Sequence, residues 1–155
     1  MKKLLIMCMG MLSCSAFAES SVTTSASVPM SLEIPKQCNF SNIAALVELP
    51  TDSSDAVSEY TVTCNTPYQI YTNSEKWEGG WFSYVSNSQH EQLKTGIKTR
   101  AVIDAAEVPL RSPQRLSRTG YAEDTYRLTV SVAAPITAIT RAGVYTDTYY
   151  IYVDY

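Results

Sequence analysis

Residues 21–34 read S-V-T-T-S-A-S-V-P-M-S-L-E-I, and their alternation constrains the fold more than any other feature of the chain. Val22, Thr24, Ala26, Val28, Met30, Leu32 and Ile34 share one parity, while Ser21, Thr23, Ser25, Ser27, Pro29, Ser31 and Glu33 share the other. Successive side chains of a β-strand point to opposite faces, so this period of two specifies a strand with one apolar and one polar face. The run is longer than an ordinary strand. Pro29 has no N–H to give to a ladder, so the segment fits poorly in the middle of its own sheet. Two readings are open: a simple edge strand of this domain, or a strand that completes the sheet of another molecule.

The chain opens M-K-K-L-L-I-M-C-M-G-M-L-S-C-S-A-F-A. Lys2 and Lys3 make a basic start, Leu4 to Leu12 an apolar run, and Ala16-Phe17-Ala18 a small-x-small cleavage site. This is the grammar of a secretory signal peptide over residues 1–18, and the apolar run is too short to span a membrane. Lipid attachment at Cys14 is disfavoured, because Met11-Leu12-Ser13 is a poor match to the residues that should precede it. Removing 18 of the 155 residues leaves 137, enough for a single domain. We divide the mature chain into an N-terminal extension, residues 19–35, and a domain, residues 36–155. No later apolar stretch is long enough to cross a bilayer, so no membrane span is expected after cleavage.

Loss of Lys2 and Lys3 takes the formal charge from −3 to −5. A mildly acidic domain is a poor partner for nucleic acid or for anionic membranes. Cys8 and Cys14 leave with the signal, and Cys38 and Cys64 remain, 26 residues apart. An even pair in an exported chain reads as a disulfide. Zinc is the rival reading, but two cysteines and the lone His90 are too few ligands for a closed site. No metal and no cofactor are expected.

Nowhere does a helical period appear. Tyr60, Val62 and Cys64 share a face; so do Tyr68 and Ile70, and Tyr126, Leu128, Val130 and Val132. The chain ends Y-T-D-T-Y-Y-I-Y-V-D-Y, with Tyr149, Ile151, Val153 and Tyr155 on one side. Eleven tyrosines and many threonines suit half-buried strands. Residues 50–55, 72–80, 109–119 and 134–143 carry turn chemistry. Short strands between polar loops, with no helix between them, predict an all-β antiparallel sandwich.

Candidates for chemistry are few. His90 lies in a polar loop without a nucleophile beside it, since both mature cysteines are expected to be bridged. Asp104 with Glu107, and Glu123 with Asp124, are carboxylate pairs of the kind that solvated loops carry, and glycoside hydrolysis is not expected of them. Gly79-Gly80 makes a turn and not a phosphate loop, because no G-x-x-x-x-G-K follows. Trp77 and Trp81 flank that turn and either form a surface recognition platform or anchor the loop onto the sandwich; the anchor is favoured. Arg100, Arg111, Arg115, Arg118 and Arg141 read as scattered solvated charges before they read as a basic interface. An enzyme is not expected.

Four stretches give the chain a resemblance to a known family. The alternating leader runs into a cysteine, V-P-M-S-L-E-I-P-K-Q-C; the second cysteine closes a strand, Y-T-V-T-C-N-T-P-Y-Q-I-Y; a proline loop follows a strand, V-S-V-A-A-P-I-T-A; and the chain finishes A-G-V-Y-T-D-T-Y-Y-I-Y-V-D-Y. These resemble the spore coat protein U domain of pilins of the archaic chaperone–usher pathway (Csu-type pili), with Ala142, Gly143, Tyr145, Asp147, Thr148 and Tyr155 where that family's terminal motif has them. The resemblance implies an immunoglobulin-like sandwich that lacks its last strand, with a groove walled by the terminal strand through Tyr145, Tyr149, Ile151, Val153 and Tyr155. It implies a structural fimbrial subunit exported through the periplasm to the cell surface. Its partners would be neighbouring pilin subunits, a periplasmic chaperone and an outer-membrane usher, and its role biofilm and adhesion. The donor strand would be Val22, Thr24, Ala26, Val28, Met30 and Leu32. It runs directly into Cys38, so it is better placed to fill a neighbour's groove than its own, and such exchange is head-to-tail and makes a fibre. A minor or tip adhesin with a sugar site at Trp77 and Trp81 is the alternative; a secreted enzyme or inhibitor is a further one.

Overall fold

A computed structural model describes residues 23–111 and 113–155 of the chain. The proposed signal peptide and Val22 of the leader lie outside these residues. The chain divides into two units, one reaching to Glu33 and one spanning Ile34–Tyr155. In the first, Thr23–Glu33 forms neither helix nor strand, and Val28, Met30 and Leu32 are exposed. The alternation is therefore a strand pattern without a strand partner in this structure.

The second unit is all β. Its strands are β1 Cys38–Ser41, β2 Ala56–Cys64, β3 Tyr68–Ser74, β4 Phe82–Ser86, β5 Gln92–Ala101, β6 Glu107–Val108, β7 Leu116–Arg118, β8 Glu123–Val132 and β9 Tyr149–Asp154. One sheet runs in the order β1-β2-β8-β5-β4, with β6 paired to β5, and the other in the order β7-β3-β9. All these pairings are antiparallel. Alternation sets the register, since a slip of one residue would turn every inward side chain outward. Ala56 faces Val130, Tyr60 faces Tyr126, and Ile97 faces Val130 from the other side. These inward residues are apolar, while Glu59 and Arg127 on the outer face form an ion pair at 2.8 Å.

The two sheets meet in a shared core. Tyr60, Val62 and Tyr126 of the first sheet pack with Tyr68 and Ile70 of the second, and Ile97, Leu110 and Leu128 make a neighbouring cluster. Burying each such side chain contributes about 1.5–3 kcal/mol. Cys38 and Cys64 are register partners in the β1–β2 pair and form a disulfide, so the bridge closes β1 onto the end of β2. Beside it Tyr126 donates to Tyr68 at 2.7 Å, and Tyr68 donates to Asp124 at 2.6 Å. Arg118 reaches both Asp124 at 3.2 Å and Asp104 at 2.7 Å. This chain of polar groups ties β7 and β3 to β8 where β2 ends.

Two turn assignments need correcting. The turn expected over residues 72–80 begins only after Ser74, because β9 carries β3 that far through the Ser74–Tyr149 pair. The turn expected over residues 109–119 contains β7, whose Leu116, Ser117 and Arg118 pair with Ile70, Gln69 and Tyr68.

Candidate functional site

Strand β9 is the last member of its sheet, and among the described residues no strand pairs with its other edge. Beside that edge the two sheets part into an apolar cleft of about 850 Å³. Its floor is the inner face of the first sheet: Ser58 and Tyr60 from β2, Leu128, Val130 and Val132 from β8, Leu93, Thr95 and Ile97 from β5, and Val85 from β4. One wall is Tyr149 and Ile151 with the Thr140–Thr148 segment before them, and the facing rim is Ile43–Thr51. A cleft between two sheets, next to a free strand edge, has both an apolar surface and unpaired backbone N–H and C=O groups to offer.

Local hydrogen bonds hold the wall in place. Asp147 accepts from Ser83 Oγ at 2.8 Å and also from Ser74 Oγ, so one carboxylate joins β3 of one sheet to β4 of the other. Thr146 and Ser86 exchange backbone bonds at 3.0 Å, and Lys76 Nζ donates to Thr146 O at 2.6 Å. Gly143 lies against Asn87, where an added Cβ would stand 3.2 Å from Nδ2. Tyr145 donates to Arg141 O at 2.8 Å. On the floor, burial pushes the Tyr60 hydroxyl up in pKa, and that hydroxyl has no hydrogen-bond partner. The Tyr149 hydroxyl beside it pairs instead with Thr99 Oγ1 at 2.5 Å.

Of the residues expected at the groove, Tyr145, Tyr149 and Ile151 line the cleft. Val153 packs against the core cluster at the disulfide end. Tyr155 lies beyond the end of β9 and is exposed. Of the expected donor residues, Thr24, Ala26, Val28, Met30 and Leu32 fall in Thr23–Glu33, all exposed. Sequence reasoning missed the floor residues Val85, Leu93 and Ile97 and the whole Ile43–Thr51 rim. The rim had a signal: residues 43–49, I-A-A-L-V-E-L, are apolar at every position but Glu48.

The other candidates are occupied structurally. Trp77 and Trp81 are half-buried against Ile97, Leu110 and Leu128. Trp77 Nε1 donates to Gly80 O at 3.1 Å, and the Arg111 guanidinium sits 4.3 Å from the Trp77 ring centroid. Arg100 pairs with Glu107, Arg115 with Asp154 and Arg141 with Glu91. With Arg118 on Asp104 and Asp124, four of the five arginines are paired with carboxylates and the fifth, Arg111, lies over Trp77. Hydrogen bonding to Arg118, then to Ala106 N, holds the Asp104 carboxyl below the usual range. His90 is exposed in the β4–β5 turn at φ 64°. Among the described residues, no group of three His, Cys, Asp or Glu side chains is arranged to hold a metal, and no helix is long and apolar enough to cross a membrane.

The fold is thus an antiparallel sandwich with an open last edge. One chain of a crystal structure of the CsuC–CsuE chaperone–tip adhesion subunit pre-assembly complex, from archaic chaperone–usher Csu pili of Acinetobacter baumannii, has a similar fold. It matches with TM-score 0.51 and 20% identity over 79% of this chain and 40% of that one. The chain therefore spans less than half the length of the structure it matches. No protein-family model matches it, and neither does any curated protein.

Proposed function

We propose that the chain is a structural subunit of a chaperone–usher type surface fibre, polymerised by strand exchange. Residues 19–35 of one copy fill the cleft of the next and pair with the free edge of β9. The observation that carries this reading is a matched pair within one sequence: among the described residues, an apolar cleft beside an unpaired strand edge, and a leader with one apolar face and no strand partner. Val28, Met30 and Leu32 would each contribute about 2 kcal/mol of burial before ordering costs, and main-chain hydrogen bonds would add to that. The likeness to a chain of a Csu pilus complex supports a pilus-related role. On this reading a periplasmic chaperone covers the cleft until an outer-membrane usher delivers the subunit to the cell surface. Catalysis forms no part of the proposal.

Substitution tests it. Val28→Asp or Met30→Asp would put an unpaired charge into an apolar cleft at a cost of several kcal/mol, and should block polymerisation while leaving the domain folded. Thr23→Asp, on the polar face, should assemble normally. Fibre yield by electron microscopy and sedimentation reads the outcome; equal yields from all three variants would show that the leader is not the donor.

A further inference from the structure

The large apolar side chains that the domain leaves most exposed gather at its two ends. At the disulfide end stand Ile34 (72%), Ile103 (81%) and Tyr121 (73%); towards the other stands Ile139 (95%), with Leu46 (72%) and Val144 (82%) beside it at the mouth of the cleft. Their positions follow from the backbone. Pro35 O, next to Ile34, accepts from Asn65 Nδ2 at 2.9 Å, and Tyr121 N donates to Cys64 O at 2.8 Å. Ile103 follows Val102, whose N–H donates to Thr125 O at 2.8 Å. At the far end, Ile139 belongs to the β8–β9 connection that is pinned by Ile136 N to Thr51 O at 2.8 Å. Val144 precedes the bridge between Thr146 and Ser86.

We infer that these two ends are faces of a second contact between successive copies of this chain. The disulfide end of the copy that gives its leader abuts the far end of the copy that receives it. This rests on the strand exchange proposed above. Five residue steps separate Glu33 from Cys38, at most about 18 Å of chain, so a domain whose leader is fully engaged is held close against its acceptor.

Direction selects the ends. Tyr149 pairs with Ser74 and Asp154 with Gln69, so β9 runs from the far end toward the disulfide end. A leader laid antiparallel to β9 therefore leaves the cleft at the far end, beside Ile139 and Val144. A parallel leader would bring its domain to the disulfide end, where the acceptor's own Ile34–Gln37 emerges, and the two would compete for one space. Exposed apolar side chains at both faces are what an abutting contact between identical copies buries.

The test uses the mature chain carrying Ile103→Cys and Ile139→Cys together, polymerised and treated with a short bis-maleimide. Denaturing gels should show a covalent ladder for the pair and mainly monomer for each single variant. Pairing Ile103→Cys with Val57→Cys, on the outer face of β2, should lower the cross-linked fraction at least tenfold. Polymers of the Ile103→Cys/Ile139→Cys chain that yield no ladder would overturn the end contact and leave strand exchange standing. Covalent dimers from Ile103→Cys alone would overturn the direction. Failure of the unsubstituted chain to polymerise would overturn both inferences together.

Discussion

Gly120 shows how much a single position can hold. Its φ is +69°, and a Cβ there would stand 2.0 Å from the carbonyl oxygen of Thr66, which is backbone and cannot swing aside. Gly120→Ala should therefore cost more than about 3 kcal/mol, from left-handed strain and displacement of the Thr66–Pro67 turn together. Urea denaturation at neutral pH would measure it. The buried tyrosines make a second prediction at this scale. Burial, above all, pushes the Tyr126 hydroxyl up to about 12 from 10.0, and raises Tyr60 and Tyr68 as well. The unfolded chain then gives up these protons near pH 10 while the folded chain keeps them, so stability falls as pH rises through that value. Thermal melting should be flat in this respect below about pH 9 and drop steeply from 10 to 12. Tyr126→Phe should make the drop shallower, and an unchanged slope would mean that Tyr126 does not contribute to it.

Among the elements, β1 depends most on one bond. Its four residues, Cys38–Ser41, pair with β2 along one edge, and the disulfide closes that pair at its first residue. Loop closure over the 26-residue separation contributes about 3.5 kcal/mol, so Cys38→Ser with Cys64→Ser should lower stability by roughly that amount and free β1 first. Hydrogen exchange in Asn39–Ser41, faster than in β8, would register it. The same elements show why parts of the fold were legible in sequence. Strand β8 and β2 from Ser58 onward alternate large apolar with polar residues, and the alternate positions Tyr149, Ile151 and Val153 mark β9, so these could be read directly. In β5 the inward positions include Thr95, Thr99 and Ala101, with Gly96 between them, so burial there leaves little trace in hydropathy. Strand β7 has three residues and owes its form to β3 alongside. The wall of the cleft was visible through the terminal strand, whereas the part of its floor that comes from β4 and β5, Val85, Leu93, Thr95 and Ile97, lies where the pattern was hidden.

At the scale of the whole molecule, the cleft and the leader together predict that rearranging the chain completes it. Deleting residues up to Pro35 and appending a copy of Ser21–Ile34 after Tyr155 through a short turn lets the copy fold back antiparallel beside β9. Covalent attachment removes most of the association entropy, so this form should be a soluble monomer and melt well above the truncated form without the added strand. Size-exclusion mass and melting curves decide it. A truncated form that is already a stable monomer would mean that no strand is missing.

The unpaired edge of β9 has a further consequence for the life of the molecule before assembly. A free strand edge beside an apolar surface accepts any extended segment that offers alternating side chains, including those of unfolded bystanders. On the function proposed above, the cell therefore cannot hold copies of this chain in reserve. On that reading supply has to be matched to use, each copy being guarded from export to incorporation, with any surplus going to aggregation or to proteases.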